Sequence, residues 1–124
     1  MKITRIMHTS VNVAGELPET RTFYSDVLEL AGAQRPEIAG VGGAWFRAGD
    51  AQVHLVDATK AGMGIDPVGP HFCLGVEDIG AAVAELDERG IEYFSATQPP
   101  DILQVWFCDP AGNTIELQQD RPLG

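Results

Sequence analysis

Apolar and polar residues alternate along residues 3–13, which predicts a half-buried strand. Behind it, residues 17–30 carry Phe23, Val27, Leu28 and Leu30 on what reads as a helix, with Pro18 suited to the first turn. Residues 42–48 and 51–57 then form two alternating runs around a Gly-containing turn, the signature of a hairpin, and a short strand is expected near 33–38. The second half repeats the order. Residues 70–76 read as a strand, and Asp78 is a good N-cap for a helix ending at Gly90. Residues 91–96, 102–108 and 113–119 read as strands.

The repetition extends to individual residues. Trp45-Phe46 opens one hairpin and Trp106-Phe107 the other, and the strands that follow end in His54-Leu55 and Glu116-Leu117. His8 stands 46 positions before His54, and His71 stands 45 before Glu116. Order, spacing and polar endpoints together mark a duplicated unit. The expected architecture is α+β: two tandem βαβββ modules, 1–57 and 70–119, joined by a Gly- and Pro-containing linker over 58–69 into one domain.

Strand alternation gives the duplication a chemical meaning. Val53 and Leu55 flank His54, and Ile115 and Leu117 flank Glu116. If those apolar residues pack on helices, the polar residue between them faces the other way. The same reasoning turns His8 away from Met7, Val11 and Val13, and His71 away from Phe72, Leu74 and Val76, leaving Cys73 on the His71 face. A lone strand histidine is usually a hydrogen-bonded or half-exposed residue. Here all three histidines of the chain occupy corresponding positions of a repeat, and a carboxylate fills the fourth. That joint pattern points to one divalent transition metal (Zn, Ni, Co, Fe or Mn) held by His8, His54, His71 and Glu116, since imidazoles with a carboxylate suit these better than Ca or Mg.

Composition narrows the class. The net charge of −10, with eight Lys+Arg and no basic cluster, excludes a nucleic-acid backbone or an anionic membrane surface as the expected partner. Cys73 and Cys108 have no metal-binding or disulfide-framework spacing, no apolar run approaches the length of a membrane span, and the start of the chain carries no apolar signal core, so a cytoplasmic protein is expected. Around the site, Arg47 shares a strand face with Trp45 and could hold an anionic group. Gln52 shares the His54 face, Trp106 the Gln104 and Cys108 face, and Trp45, Tyr93 and Phe94 could stack on a ligand.

Four stretches resemble the vicinal oxygen chelate superfamily, the group of glyoxalases, extradiol dioxygenases, epimerases and antibiotic-resistance proteins. They are His8 with Val11-Asn12-Val13; Phe23 through Leu30; His71 through Ile79; and Asp109-Pro110-Ala111-Gly112-Asn113-Thr114-Ile115-Glu116-Leu117, the most specific. The resemblance implies paired βαβββ modules whose mixed sheets curl around a metal, with His8, His71 and Glu116 at the three ligand positions most members share. His54 stands where glyoxalase-like members carry a carboxylate, a departure from the glyoxalase I pattern. A lyase or isomerase is expected first, acting on a small substrate that chelates the metal through adjacent oxygens, with Glu116 and His54 as proton-transfer groups. A non-haem iron dioxygenase and a drug-binding resistance protein are the alternatives. The resemblance also implies a homodimer.

Overall fold

The computed structural model describes residues 1–58, 64–108 and 113–123. Eight strands form one mixed sheet. In chain order the elements are β1 (Ile3–Asn12), α1 (Leu17–Thr22), β2 (Gly32–Ala33), β3 (Gly42–Ala48), β4 (Ala51–Asp57), β5 (His71–Val76), α2 (Ile79–Glu88), β6 (Tyr93–Gln98), β7 (Ile102–Cys108) and β8 (Thr114–Gln119). Across the sheet the order is β2-β3-β4-β1-β5-β8-β7-β6. Each half thus contributes its first strand, then its fourth, third and second, reading outward from the centre, where β1 and β5 pair antiparallel. Within each half the first and fourth strands run parallel, β1 with β4 and β5 with β8. The duplicated α+β fold is therefore present as two like modules curled into a half-barrel. No helix among the described residues is long and apolar enough to cross a membrane.

Two apolar cores lie on the convex side, one beneath each module. Val13, Phe46 and Leu55 are buried against Leu17, Tyr24, Leu30 and Val53 in the first. Val76, Ala82, Leu86, Val105 and Leu117 are buried with Leu74, Ile79 and Ile115 in the second. Burial of these side chains is the main favourable term holding helices to sheet. Helix α2 begins where Asp78 accepts the Ala81 amide proton at 3.0 Å, and Gly90 follows its end at φ +67°.

Three elements depart from the sequence reading. The helix expected over 17–30 is α-helical only from Leu17 to Thr22; Phe23–Val27 widens into a π-helical turn, with the Leu28 amide donating to the Phe23 carbonyl at 3.1 Å. The wider turn rotates the apolar stripe. Leu17, Tyr24 and Leu30 face the core, whereas Phe23, Val27 and Leu28 are exposed. The strand expected near 33–38 is two residues long and starts earlier, at Gly32. Beyond Ala33 the chain leaves the sheet, with Pro36 unable to donate to a ladder. The strand expected over 91–96 is displaced to Tyr93–Gln98. Residues 59–63 of the linker and the turn Asp109-Pro110-Ala111-Gly112 lie outside the described residues.

Candidate metal centre

The concave face collects the polar residues of the four inner strands. β1 delivers His8 and Ser10 to it, while Met7 turns the other way and is buried. The β1–β5 ladder shifts register between Ile6 and His8, and an irregularity of this kind re-aims the side chain beside it. Gly75 of β5 makes room for the close crossing: a Cβ there would stand 2.7 Å from Thr4 Oγ1 and 3.2 Å from Met7 Sδ. Pairing registers reproduce the duplication residue by residue. Ser10 lies opposite His54 as Cys73 lies opposite Glu116, and Trp45 opposite His54 as Trp106 lies opposite Glu116.

Three groups meet at one point. Glu116 Oε1 is 2.8 Å from His71 Nε2 and 3.1 Å from His8 Nε2, and the two imidazole nitrogens are 3.2 Å apart. Glu116 is 1% exposed, so its charge is shielded from water. Its other oxygen, Oε2, accepts from Gln118 Nε2 at 2.6 Å and from Gln104 Nε2 at 3.3 Å. His71 donates Nδ1–H to the Gly69 carbonyl at 2.8 Å, which fixes the ring and leaves Nε2 for the centre. Cys73 Sγ lies within 4.8 Å of the His8 and Glu116 ligand atoms. Burial pushes its thiol well above the ordinary value, reinforced by the Glu116 charge. The triad forms within a single chain.

Burial would raise the Glu116 carboxyl, but hydrogen bonds from His71 and His8 outweigh it and hold the group below the usual carboxylate range. Burial likewise opposes protonation of His71, yet the Glu116 hydrogen bond and charge raise it above the ordinary imidazole value. The centre therefore attracts positive charge. Two imidazole nitrogens and a carboxylate oxygen within 3.2 Å of one another are mutually repulsive lone pairs unless a proton or cation lies between them. The donor set fits a divalent transition ion.

His54 lies beside this point with its Nε2 engaged elsewhere. Its Nε2 bonds Gln52 Oε1 at 2.8 Å. Its ring is sandwiched, 4.0 Å from His8 and 3.8 Å from Trp45 between centroids. Burial, then the neighbouring His8, lowers its pKa to about 2. The ring is neutral at physiological pH. Gln52 is buried beneath it and orients it. Arg47, by contrast, is exposed.

A cavity of about 380 Å³ opens above the triad, bounded by Trp45, His54, Gln104 and Trp106 on the sheet and by Arg35 and Ile38 from the loop after β2. Phe94 backs Trp106 at 5.7 Å and is half exposed. Tyr93 turns to the other side and packs on the second core. Ser10, Gln118 and Arg35 did not figure among the sequence candidates. Alternation could have found the first two, at two residues from His8 and Glu116. Nothing periodic marks Arg35.

Comparison with known proteins identifies the family and the fold. Residues 5–117 match the Glyoxalase/Bleomycin resistance protein/Dioxygenase superfamily, and the chain belongs to that family. An Arabidopsis thaliana protein named Glyoxylase I 4 is 30% identical over 125 residues, covering 94% of this chain and 71% of that protein. The fold resembles methylmalonyl-CoA epimerase from Mycobacterium tuberculosis, with a TM-score of 0.75 at 20% identity over 97% of this chain and 90% of that one. A 2,3-dioxygenase from Pseudomonas sp. KL28 superposes equally well, with a TM-score of 0.75 at 23% identity, covering 99% of this chain and 43% of the longer enzyme.

Proposed function

We propose that this chain is a divalent-metal-dependent lyase or isomerase of the glyoxalase-like kind, acting on a small substrate that presents two adjacent oxygens. The observation that carries the reading is the convergence of His8, His71 and Glu116 at the floor of a cavity. These three residues would hold one ion of Zn, Ni, Co, Fe or Mn. When bound, the ion supplies Lewis-acid polarisation of the substrate oxygens and acidifies the carbon-bound proton beside them.

The chain's own groups do the rest. Glu116 directs Oε1 at the centre while Gln118 and Gln104 hold Oε2, so the carboxylate would alternate between holding the ion and taking and returning a substrate proton. His54 is a weak base at a pKa of about 2. Its part is to wall the centre and support the His8 ring, rather than to serve as the ligand or base its position in the repeat suggests. Trp45 and Trp106 line the space the substrate occupies and limit water there.

A second reading has its own support. With the His54 Nε2 engaged by Gln52, the remaining donors are two imidazoles and one carboxylate, the set that non-haem iron oxygenases use. Two measurements on metal-loaded protein separate them. Exchange of the carbon-bound protons of dihydroxyacetone with D2O, abolished in Glu116→Gln, supports the lyase or isomerase. Oxygen consumption with catechols in the ferrous protein, without such exchange, supports the oxygenase. A pure drug-sequestering role has no use for the triad, and loss of all metal affinity in the intact protein would favour it. We also propose a homodimer, which would cover apolar side chains left open here, such as Phe23, Val27 and Leu28.

A further inference from the structure

Among the described residues, two buried side-chain nitrogens lack a hydrogen-bond partner, Arg35 Nε and Trp106 Nε1. Both residues line the cavity above the triad. A buried donor without an acceptor costs free energy, and native structures keep few of them. Two in one cavity mark the places where a ligand supplies the acceptors.

The two donors differ in kind. Trp106 pairs with Glu116 across β7 and β8, so its neutral N–H belongs to the metal end. Arg35 is charged and comes from the loop that leaves the sheet after β2. Its Nη2 donates to the Val41 carbonyl at 2.8 Å, which ties the guanidinium to its own loop. Gly43 gives it a seat: a Cβ there would stand 2.9 Å from Arg35 Nε and 2.4 Å from the Leu55 carbonyl. A side chain at position 43 would clash with the Leu55 carbonyl and crowd the guanidinium.

Charge makes the case sharper. The chain carries eighteen acids against eight bases, and Arg5, Arg89 and Lys2 each reach a carboxylate within 4.0 Å. Arg35 reaches none among the described residues, although Glu37 lines the same cavity. The neighbouring charge that acts on it is another cation, Arg21, which donates to the Gly43 carbonyl at 3.4 Å. An uncompensated guanidinium facing a cavity in so acidic a protein is arranged for an anion. Between the two ends the walls are apolar, with Ile38, Val41 and Val56 among them.

We propose that Arg35 recognises a carboxylate of the substrate, lying beyond the two chelating oxygens and separated from them by an apolar or planar body. This rests on the metal-chelation reading above and adds the substrate class. The test uses zinc-loaded full chain and two probes, 3,4-dihydroxybenzoate and its methyl ester, which share vicinal oxygens and differ in the carboxylate charge. Calorimetry should show the acid binding about tenfold more tightly than the ester to the wild type, a step between an exposed and a buried charged pair. Arg35→Gln should bring the acid to the level of the ester, with the ester losing much less than the acid, and Arg35→Lys should restore part of the preference. Equal affinity of the two probes in the wild type, or a preference that survives in Arg35→Gln, overturns the proposal. Ester binding that is the same with and without zinc overturns the chelation reading instead, with the Arg35 comparison still scored on the acid.

Discussion

Replacing Glu116 by Gln separates a ligand from a structural acid. Oε1 of the carboxylate lies within 3.1 Å of two imidazole nitrogens, and Oε2 accepts from two amides. An amide of the same shape can keep its oxygen toward Gln118 and Gln104 and turn its NH2 toward the His71 Nε2 lone pair. The substitution gives up charge-assisted bonds worth about 1.5–3 kcal/mol each. It also removes the desolvation penalty of a carboxylate that is 1% exposed, itself several kcal/mol. These terms oppose each other, so metal-free Glu116→Gln should unfold within about 1 kcal/mol of the wild type, a shift of roughly 3–6 °C at this chain length.

Metal binding has no such compensation. An amide is a poor ligand for a divalent transition ion, and disturbing even an outer hydrogen bond of a metal ligand costs about 10–100-fold in affinity. Loss of the carboxylate should therefore weaken zinc by more than about 100-fold. Competition against a fluorescent chelator reads the affinity, and thermal unfolding with and without zinc reads the linkage. At a zinc concentration of about 1,000 times Kd the wild type gains about 4 kcal/mol, a rise on the order of 10–20 °C that the variant should lack. Zinc affinity within about threefold of wild type would refute the assignment of Glu116. A variant that fails to fold without metal would show instead that the carboxylate is structural.

Three further outcomes follow from the same geometry. The His54 imidazole, held at a pKa of about 2 by burial and by His8 against an ordinary 6.5, stays neutral in the folded chain while the unfolded chain takes up a proton below 6.5. Its contribution to stability is full above that value and falls as pH drops, by about 2 kcal/mol between pH 8 and pH 5. Denaturant unfolding of metal-free protein should show this acid-side loss shrinking by that amount in His54→Gln; identical losses would remove the argument. His71 works in the opposite sense, since its raised value favours the folded state at low pH and the benefit fades as pH rises through it, so the comparison must be between wild type and variant. Gln118→Leu removes the 2.6 Å bond to Oε2 and should weaken zinc by about 10–100-fold with the triad intact; unchanged affinity would mean that Gln104 alone orients Glu116. Leu86→Ala, in the fully buried face of α2, should cost about 2–5 kcal/mol in denaturant unfolding without changing zinc affinity in the folded protein.

Much of the fold was readable because the two modules check each other. The hairpins align by their tryptophans, and strict alternation then assigns faces to Val53, Leu55, Ile115 and Leu117, all of which pack on the convex cores. The first helix was misread for a local reason. Phe23, Val27 and Leu28 are apolar at helical spacing, yet an extra residue per turn at Phe23–Val27 swings them to the surface, and no single-sequence pattern announces a π-helical turn. The loop after β2 was missed for another. A strand of two residues is too short to alternate, and the placement of Arg35 depends on Gly43 of a neighbouring strand rather than on anything in its own stretch.

The repeat pattern equated His54 with Glu116, and the registers agree with that equivalence. Yet the two side chains end differently, because their neighbours differ. On the first module Gln52, two residues before His54, takes the imidazole Nε2. On the second, Gln118, two residues after Glu116, braces the far oxygen and leaves Oε1 for the centre. Two imidazoles come from corresponding positions on the paired central strands β1 and β5, so the near-symmetry of the fold accounts for His8 and His71 together. The carboxylate comes from breaking that symmetry. A duplicated unit kept identical would aim four like side chains at one point, filling a small coordination shell and leaving no position for a substrate. Under the proposed reading, the Gln52 bond to His54 would withdraw one donor from the shell and leave that ring as a wall. On this argument Gln52→Ala should free the His54 ring, and zinc should bind more tightly while substrate-analogue binding weakens; a variant that loses zinc affinity would show that His54 supports the centre only as Gln52 holds it.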